Sequence, residues 1–218
     1  MQLKYLFAFI FLFTAFIFTD FSAQNLSNTT FSNEEIEKKI DGNIDNPAKM
    51  WELINFYISK SKKEKNNEAL FYAYRYASVN SRYPTNLQYA DSALTIAKKS
   101  EVKKIVIDAY LNHGNINMAE EFYEKALDDI LVANKLSQEY GNEYIFNKTI
   151  YIIAQNKIYL GQYEDAYLYW LDSISLMPDP MSEATTFRMA TLLLQQNLPE
   201  KALTLLHKQF PKSSPMEF

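Results

Sequence analysis

The residues best suited to chemistry in this chain are its two histidines, His113 and His207. They lie far apart in sequence, and neither has a second histidine three or four residues away, where a helix would place both rings on one face. The pattern therefore predicts no metal site. His113 falls on the inward face of a predicted helix, so we expect a buried or half-buried packing residue. A pH-sensing or ligand role for His113 is the alternative.

The other candidates for chemistry are the acidic pairs Glu120-Glu121 and Asp128-Asp129. Adjacent residues point in different directions around a helix, so we expect both pairs on the solvated surface. No two of the four glycines lie within six residues, which excludes the glycine-rich phosphate loops. No serine has the flanking glycines of a hydrolase elbow. We therefore expect no catalytic residue, no metal, no cofactor and a protein that is not an enzyme.

The charge balance argues against nucleic acid as a direct partner. The 218 residues carry a net charge of -4 and a pI near 5.3, whereas nucleic-acid-binding domains are usually basic. The run Lys60, Lys62, Lys63 and Lys65 lies at a predicted helix end, where lysine favours the negative end of the helix dipole. No cysteine is present, so disulfides, thiolate metal sites and cysteine lipidation are excluded.

The first residues have the pattern of a secretory signal peptide. Lys4 precedes an apolar stretch from Tyr5 to Phe18, interrupted by Thr14, and a polar segment follows. About 14 apolar residues are few for a helix that crosses roughly 30 Å of hydrocarbon. We expect residues 1–24 to be a signal peptide and the protein to be exported, to the periplasm, with no membrane span in the mature chain. An N-terminal helix that stays uncleaved as an anchor is the alternative.

The remaining sequence predicts helices throughout. Four glycines and seven prolines are few for an all-β chain, which needs frequent turns. Residues 25–33 are polar and are expected to form a flexible linker. Residues 34–66 are expected to form a degenerate N-terminal helical hairpin, because Ser32 is suited to cap one helix and Asn46-Pro47 to begin the next.

A repeated frame of small and bulky residues covers residues 67–215. Its anchors Ala90, Ala126, Ala166 and Ala202 are 36, 40 and 36 residues apart. Two helices cross closely only where side chains are small, so the frame predicts stacked helical hairpins at about 67–100, 103–141, 143–178 and 182–211. The structural positions of the frame are Ser78, Ala90, Ala97, Gly114, Ala126, Ala133, Ala154, Gly161, Ala166, Trp170, Pro178, Ala190 and Ala202.

The same frame places the turns within the hairpins at Thr85, Glu121, Gly161 and Asn197. Gly161 and Asn197 are suited to a left-handed backbone, whereas Thr85 and Glu121 are less suited to it. We therefore expect the quality of the turns to vary from one hairpin to the next.

These features resemble the tetratricopeptide repeat family. The best match is the run from Ile150 to Ala166, followed by Trp170 and Pro178. The sequence departs from the family pattern at His113, Asn117, Thr186 and Gln209. The resemblance implies an all-α fold, a right-handed α-solenoid of stacked helix-turn-helix hairpins, and a role in binding proteins.

Two segments also resemble a narrower group. The runs from Tyr89 to Lys99 and from Ile153 to Ala166 are similar to the extracytoplasmic repeat region of Bacteroidetes-type tetratricopeptide regulators. In those proteins a transmembrane helix and a cytoplasmic helix-turn-helix DNA-binding domain follow the repeats. This sequence ends at Phe218, so DNA binding is not carried over. The resemblance implies an alternative function, the sensory periplasmic part of a membrane-bound transcription regulator.

The partner is expected in the concave groove that the first helices of the hairpins line. Tyrosine and arginine are enriched at binding hot spots, and arginine and lysine could hold a carboxylate. The groove residues given by the frame are Tyr72, Arg75, Arg82, Tyr83, Asn115, Lys148, Tyr151, Gln155 and Tyr159. We expect an exported interaction scaffold that binds a peptide or protein there.

The last predicted helix has its own apolar strip, and no capping helix follows it. Its apolar residues are Ala202, Leu203, Leu205, Leu206 and Phe210. An uncovered strip would indicate a missing continuation, a partner or a homodimer.

Overall fold

The computed structural model describes residues 31–176 and 180–210, which form helices and short connections without a β-strand. The predicted signal peptide, most of the linker and Pro178 lie outside these ranges. The helices are α1 Asn33–Asp41, α2 Pro47–Lys63, α3 Asn67–Val79, α4 Thr85–Ala97, α5 Lys103–Ala119, α6 Tyr123–Glu139, α7 Glu143–Tyr159, α8 Tyr163–Leu176, α9 Pro180–Gln195 and α10 Pro199–Gln209. Within the described ranges, no helix combines the length and the apolar composition needed to cross a bilayer.

Several helices begin at a side chain that caps the free backbone N–H groups of the first turn. Ser32 and Glu35 form a reciprocal capping box at α1, with hydrogen bonds of 2.8 and 3.2 Å. Asn66 accepts from the Ala69 N–H at 3.0 Å at the start of α3, and Asn142 accepts from Ile145 at the start of α7. These local sequences fix where the helices start.

Most connections between the helices pass through a left-handed residue. Glu121, Gly161 and Asn197 have φ of 64°, 73° and 60°, and Gly141 has 68° in the connection between hairpins. Glu121 therefore adopts the conformation for which the sequence made it a poor candidate. The prediction for Thr85 was wrong, because Thr85 is the first residue of α4 and Pro84 precedes it.

The helices pack in sequence order, each mainly against its chain neighbours, as in an α-solenoid. The pairs α3 with α4, α5 with α6, α7 with α8 and α9 with α10 are antiparallel hairpins, and α1 and α2 precede them. Beyond these contacts, α3 packs against α5, and α8 packs against both helices of the last hairpin. The array is thus built from local contacts.

Small residues lie where the helices cross. The frame alanines Ala90, Ala126 and Ala166 are each fully buried. A Cβ atom on Gly114 would lie 2.7 Å from Cγ1 of Ile130 and 3.2 Å from the Ala126 carbonyl oxygen. The absence of a side chain at Gly114 therefore lets α5 and α6 approach closely.

The two tryptophans lie in different parts of the array. Trp170 of α8 is fully buried, and its indole N–H donates to the Thr186 hydroxyl of α9 at 3.0 Å. Trp51 of α2 is half-buried and packs near the ring of Tyr89 of α4. Thr186, where the sequence departs from the family pattern, thus accepts the hydrogen bond that the buried indole N–H of Trp170 needs.

The last helix is better covered than the sequence predicted. Leu205 is completely buried, Ala202 is 1% exposed, and Phe210 packs against Phe187 with ring centroids 5.1 Å apart. Leu203, at 51% exposure, is the large hydrophobic residue of α10 that faces solvent. The expectation of an uncovered strip was therefore wrong for most of its residues, because α8 and α9 cover them.

Candidate functional site: the concave groove

The first helices of successive hairpins bring equivalent residues together on one side of the array. Tyr72 of α3, Asp108 of α5 and Lys148 of α7 occupy the same position of the frame, 36 and 40 residues apart. Asp108 lies within electrostatic range of Arg75 on α3 and Lys148 on α7. Three hairpins thus contribute to one polar surface, which we call the groove.

The central part of the groove carries several charged groups. Arg75, Lys104 and Lys148 lie within electrostatic range of the Asp108 carboxyl. Glu68 and Glu37 act together with Asp108 on the neighbouring Tyr72. Arg75, Lys104 and Lys148 are exposed. None of these three cations forms a salt bridge within residues 31–176 and 180–210. We call Arg75, Lys104 and Lys148 the basic cluster.

Two titratable groups at the floor of the groove are perturbed. Burial raises the pKa of the Asp108 carboxyl, and the positive charges of the basic cluster offset part of this effect. Burial also raises the pKa of the Tyr72 hydroxyl, and the nearby charge of Asp108 adds to that shift. In the described ranges Asp108 forms no salt bridge, and the effect of burial on its pKa exceeds that of the nearby cations.

Further along the array the groove becomes apolar. Phe187 and Leu194 of α9 are each 55% exposed, and Tyr159 at the end of α7 is 43% exposed. The Arg188 guanidinium lies 5.8 Å from the centre of the Tyr159 ring, and Tyr123 stacks on that ring with centroids 4.9 Å apart. Along the array, the basic cluster on α3, α5 and α7 is thus followed by exposed apolar and aromatic side chains at the end of α7 and on α9.

Of the groove residues predicted from the sequence, Asn115 is exposed on α5. Tyr151 and Gln155 are half-buried on α7, where the Gln155 amide donates to the Tyr151 hydroxyl at 2.9 Å. The Tyr151 ring also packs against Trp170, at 5.2 Å between centroids. Tyr151 therefore contributes to the packing of α7 against α8, and Gln155 is hydrogen-bonded to it; their role in the groove stays a prediction.

The prediction that Arg82 and Tyr83 lie on a first helix was wrong. Helix α3 ends at Val79, so both residues lie in the connection to α4. A residue before proline is disfavoured in a helix, and Tyr83 precedes Pro84. The Tyr83 ring packs near Phe122 in the next connection, with centroids 6.2 Å apart.

The sequence analysis missed Asp108 and Lys104. The repeat frame contained the signal for Asp108, because it occupies in α5 the position of Tyr72 and Lys148 in their helices. Lys104 lies one helical turn before Asp108 on the same face.

A second polar cluster surrounds His113. Its Nδ1 lies 2.6 Å from Asp129 Oδ2, and its Nε2 lies 2.9 Å from Asp91 Oδ1. The Asn117 amide also donates to Asp129, at 3.3 Å. The expectation that Asp129 is a solvated surface residue was wrong, because its side chain is only 15% exposed and pairs with the ring. Asp128 is exposed, as expected for a surface residue.

The His113 cluster does not have the geometry of a metal centre. The two carboxylates lie at opposite nitrogens of the ring, so the three side chains do not converge on one point. Within the described part of the chain, no group of three or more His, Cys, Asp or Glu side chains is arranged to hold a metal ion.

Comparison with known proteins places the fold. No family profile matches the sequence, and no curated protein matches it significantly. The crystal structure of the apo form of RapI is similar over 75% of this chain and 50% of RapI, with a TM-score of 0.59 and 19% identity. BtubC from P. vanneervenii aligns over 89% of this chain and 73% of its own, with a TM-score of 0.49 and 13% identity.

The likeness to RapI shows the architecture. The chain is an all-α helical repeat protein, a right-handed α-solenoid of stacked hairpins. It spans half the length of RapI.

Proposed function

We propose that this chain is an exported scaffold that binds a peptide or protein partner along its concave groove. The observation that carries the proposal is the basic cluster, in which Arg75, Lys104 and Lys148 are exposed, act on the Asp108 carboxyl and form no salt bridge in the described ranges. Guanidinium and ammonium groups on a concave surface are well suited to bind carboxylates. The chain as a whole has a net charge of -4. The three cations of the basic cluster nevertheless favour an acidic partner at this surface.

The two parts of the groove suggest the chemistry of the partner. The basic cluster lies on α3, α5 and α7, and the exposed Phe187 and Leu194 lie on α9. These residues lie on four different helices, and helices that pack directly are already about 8–10 Å apart, so we expect a segment that contacts all four to be extended. The partner that fits is an extended segment with Asp or Glu at one end and an apolar side chain at the other.

Export is part of the proposal and is supported by the sequence. Lys4 and the apolar stretch from Tyr5 to Phe18 have the order and length of a signal peptide. Mass spectrometry of the protein from cells should find an N-terminus near Gln24. An intact Met1 would instead favour the anchored form.

The alternative function is the sensory part of a membrane-bound transcription regulator, supported by the run from Tyr89 to Lys99. The coding sequence downstream of Phe218 distinguishes the two. A hydrophobic span followed by a helix-turn-helix in frame or in the next gene would favour the regulator, and unrelated sequence would favour the free scaffold.

Replacement of the basic cluster tests the groove. Two fluorescein-labelled peptides of about ten residues, which reach roughly 30 Å when extended, serve as probes. One has two Asp and two Glu in its first part and Phe and Leu at its end, and the other has Asn and Gln in place of the acids. Fluorescence anisotropy should show tighter binding of the acidic peptide. Replacing Arg75, Lys104 and Lys148 by alanine should weaken it by about tenfold or more, because a hydrogen bond to a charged group contributes about 1.5–3 kcal/mol.

The matched control removes the same charge elsewhere. Lys63, Lys99 and Lys135 are exposed and lie outside the first helices of the hairpins. Their replacement by alanine should leave affinity for the acidic peptide within about twofold, because charges beyond a screening length of about 10 Å contribute little. Equal losses in both triple variants, or equal binding of the two peptides, would contradict an acid-binding groove.

A partner in cells can be located by site-specific crosslinking. A photoreactive amino acid at Asn115, exposed on α5, should capture the partner, whereas the same residue at Asp128, exposed on α6, should not. Capture at Asp128 alone would place the interface on the second helices instead.

A further inference from the structure

The ring of His113 connects three helices that belong to two hairpins. His113 lies on α5, Asp129 lies on α6 of the same hairpin, and Asp91 lies on α4 of the preceding hairpin. The side chains of His113 and Asp129 are each 15% exposed, whereas that of Asp91 is 68% exposed. The ring therefore forms one contact that is largely enclosed and one that water can reach.

The geometry of the ring requires two protons. Each nitrogen lies at hydrogen-bonding distance from a carboxylate oxygen, at 2.6 Å for Nδ1 and 2.9 Å for Nε2. Carboxylates only accept hydrogen bonds, and a neutral imidazole has a single N–H to donate. Both contacts can be satisfied together only by the imidazolium form. A neutral ring would turn a lone pair towards one of the two carboxylates.

The remaining neighbours of His113 do not supply another charge to the ring. Helices α3, α4 and α6 pack against α5. Helix α4 contributes Asp91 and α6 contributes Asp129, whereas the charged Arg75 of α3 acts on Asp108. The Asn117 amide nitrogen, on α5 itself, lies 3.3 Å from Asp129 Oδ2, 3.1 Å from the His113 carbonyl oxygen and 3.2 Å from Nδ1 of the ring. Its two N–H groups can be used by the two oxygens, which leaves Nδ1–H to donate to Asp129. The two carboxylates thus dominate the electrostatics of the ring.

The other contacts across this boundary between hairpins include two polar ones. Ser78 of α3 and Asn112 of α5 exchange hydrogen bonds of 3.0 and 3.3 Å in the buried interior. The Asn86 amide of α4 donates to Glu120 after α5. A buried apolar cluster that includes Phe71 of α3, Leu94 of α4 and Ile105 of α5 also closes this boundary. Loss of the ionic contact should therefore loosen α4 on α5 without detaching it.

We propose that the boundary between the α3–α4 and α5–α6 hairpins is a proton-controlled joint. Protonated His113 ties Asp91 of α4 to Asp129 of α6. When the ring loses one proton, the N–H that remains stays with Asp129, whose contact is shorter and less exposed, and the tie to α4 is lost. The position of α4 on α5 then depends on pH. This inference is independent of what the groove binds.

The direction of the pH effect follows from the charges. Burial alone would lower the pKa of His113, but the hydrogen bonds and charges of Asp129 and Asp91 outweigh burial and raise the pKa above its usual value. A raised pKa means that folding favours the protonated ring. The stabilisation is therefore complete below the unfolded pKa of about 6.5 and is lost as the pH rises through the folded pKa.

Histidine NMR in the full-length chain tests the joint directly. The chain has two histidines, so selective labelling gives two resonances, and His207, exposed on α10, is the internal reference. We expect the His113 resonance to titrate with a midpoint above about 6.5. Asp91→Asn should lower that midpoint by about 0.2–0.7 pH units, the shift for an exposed ion pair, and leave His207 unchanged. Asp91 is largely exposed, so this variant should fold normally.

Hydrogen exchange tests whether the proton controls the contact between helices. As the pH rises through the His113 midpoint, protection factors of the α4 amides should fall about two- to fivefold, while those of α8 stay constant. In Asp91→Asn this fall should be absent. A His113 midpoint at or below 6.5, an unchanged midpoint in Asp91→Asn, or α4 protection that does not vary with pH would each overturn the proposal.

Discussion

Gly114 shows how a single residue determines the distance between two helices. The nearest atoms to the position of a Cβ at Gly114 belong to Ile130, Ala126 and Asp129, all on α6. The closest, Cγ1 of Ile130, would lie 2.7 Å away, which is shorter than a normal carbon–carbon contact. A larger residue must therefore move α6 away from α5.

The variant Gly114→Ala measures this effect against helix propensity. Alanine in a helix interior is more favourable than glycine by about 0.5–1 kcal/mol. Overpacking of a tight interior costs about 1–3 kcal/mol. We expect a net destabilisation of about 1 kcal/mol in urea denaturation. The adjacent Asn115→Ala, at an exposed position of α5, should be neutral or slightly stabilising. A stabilised Gly114→Ala would contradict the close approach.

At the scale of residues, the small positions could be predicted from the sequence and the ionic ones could not. Ala126 and Gly114 follow from the spacing of the frame, because every hairpin meets the same packing constraint. The pairing of His113 with Asp129 joins residues 16 apart on antiparallel helices, and depends on how the two helices are rotated about their axes. Helical periodicity does not determine that rotation closely enough to pair two particular side chains.

At the scale of elements, three of the four connections within hairpins share one backbone conformation, which different residues adopt. Gly161 occupies the left-handed position between α7 and α8, while Glu121 and Asn197 occupy it in the neighbouring hairpins. A residue with a Cβ is strained there by about 1–2 kcal/mol, and asparagine tolerates this conformation best among non-glycine residues. Glu121 therefore adopts its conformation because the packing of α5 and α6 requires it.

Glu121→Gly should accordingly stabilise the protein. Glycine removes the left-handed strain, and this gain is larger than the cost of the conformational entropy that glycine adds to the unfolded chain. We expect urea denaturation to show a free energy of unfolding higher by about 0.5–1 kcal/mol. The reverse change, Gly161→Ala, should cost about 1 kcal/mol, because it introduces the same strain where open space surrounds the residue. Destabilisation by Glu121→Gly would show that the Glu121 side chain contributes more than its backbone strain costs.

The start of α4 is a helix boundary that the repeat frame did not predict correctly. The repeat frame predicted a turn at Thr85. The corresponding residues of the other hairpins, Glu121, Gly161 and Asn197, do lie in turns. In this hairpin α3 ends at Val79, and Pro84 allows the chain to begin α4 at Thr85. A local proline thus overrides a periodicity that holds in the other hairpins.

At the scale of the whole molecule, the array is held together by contacts between neighbours. Each helix packs mainly on those next to it in sequence, and no large core connects α1 and α2 to α9 and α10. The stability of such a protein is approximately a sum over hairpins and the boundaries between them. A local change should therefore have effects that decline along the chain.

Leu205→Ala tests this expectation. Leu205 on α10 is completely buried, and truncation of a buried leucine costs about 2–5 kcal/mol. Hydrogen exchange measured by mass spectrometry should show faster exchange in α9, α10 and α8, while α1 and α2 keep their protection. The exposed Leu203→Ala should leave all helices nearly unchanged. An equal loss of protection in every helix would show that the array unfolds as one unit.

The overall architecture could be predicted from the sequence, whereas the charge of the groove could be predicted only in part. The order of small and bulky residues is repeated, so the helical hairpins follow from it. Arg75 and Lys148 were assigned to the groove by the same frame. The position of Asp108 among three cations depends on the packing of α3, α5 and α7, and the raised pKa of its carboxyl depends on burial that periodicity does not report.

The placement of the two tryptophans has a practical consequence. Trp51 is half-buried near the first helices, and Trp170 is enclosed near the last with its indole hydrogen-bonded to Thr186. Each chromophore has a distinct surrounding, so their fluorescence emission should differ in wavelength. The unmodified protein therefore contains a separate optical reporter for each end, and loosening of one end ahead of the other can be followed as it happens without attaching a dye.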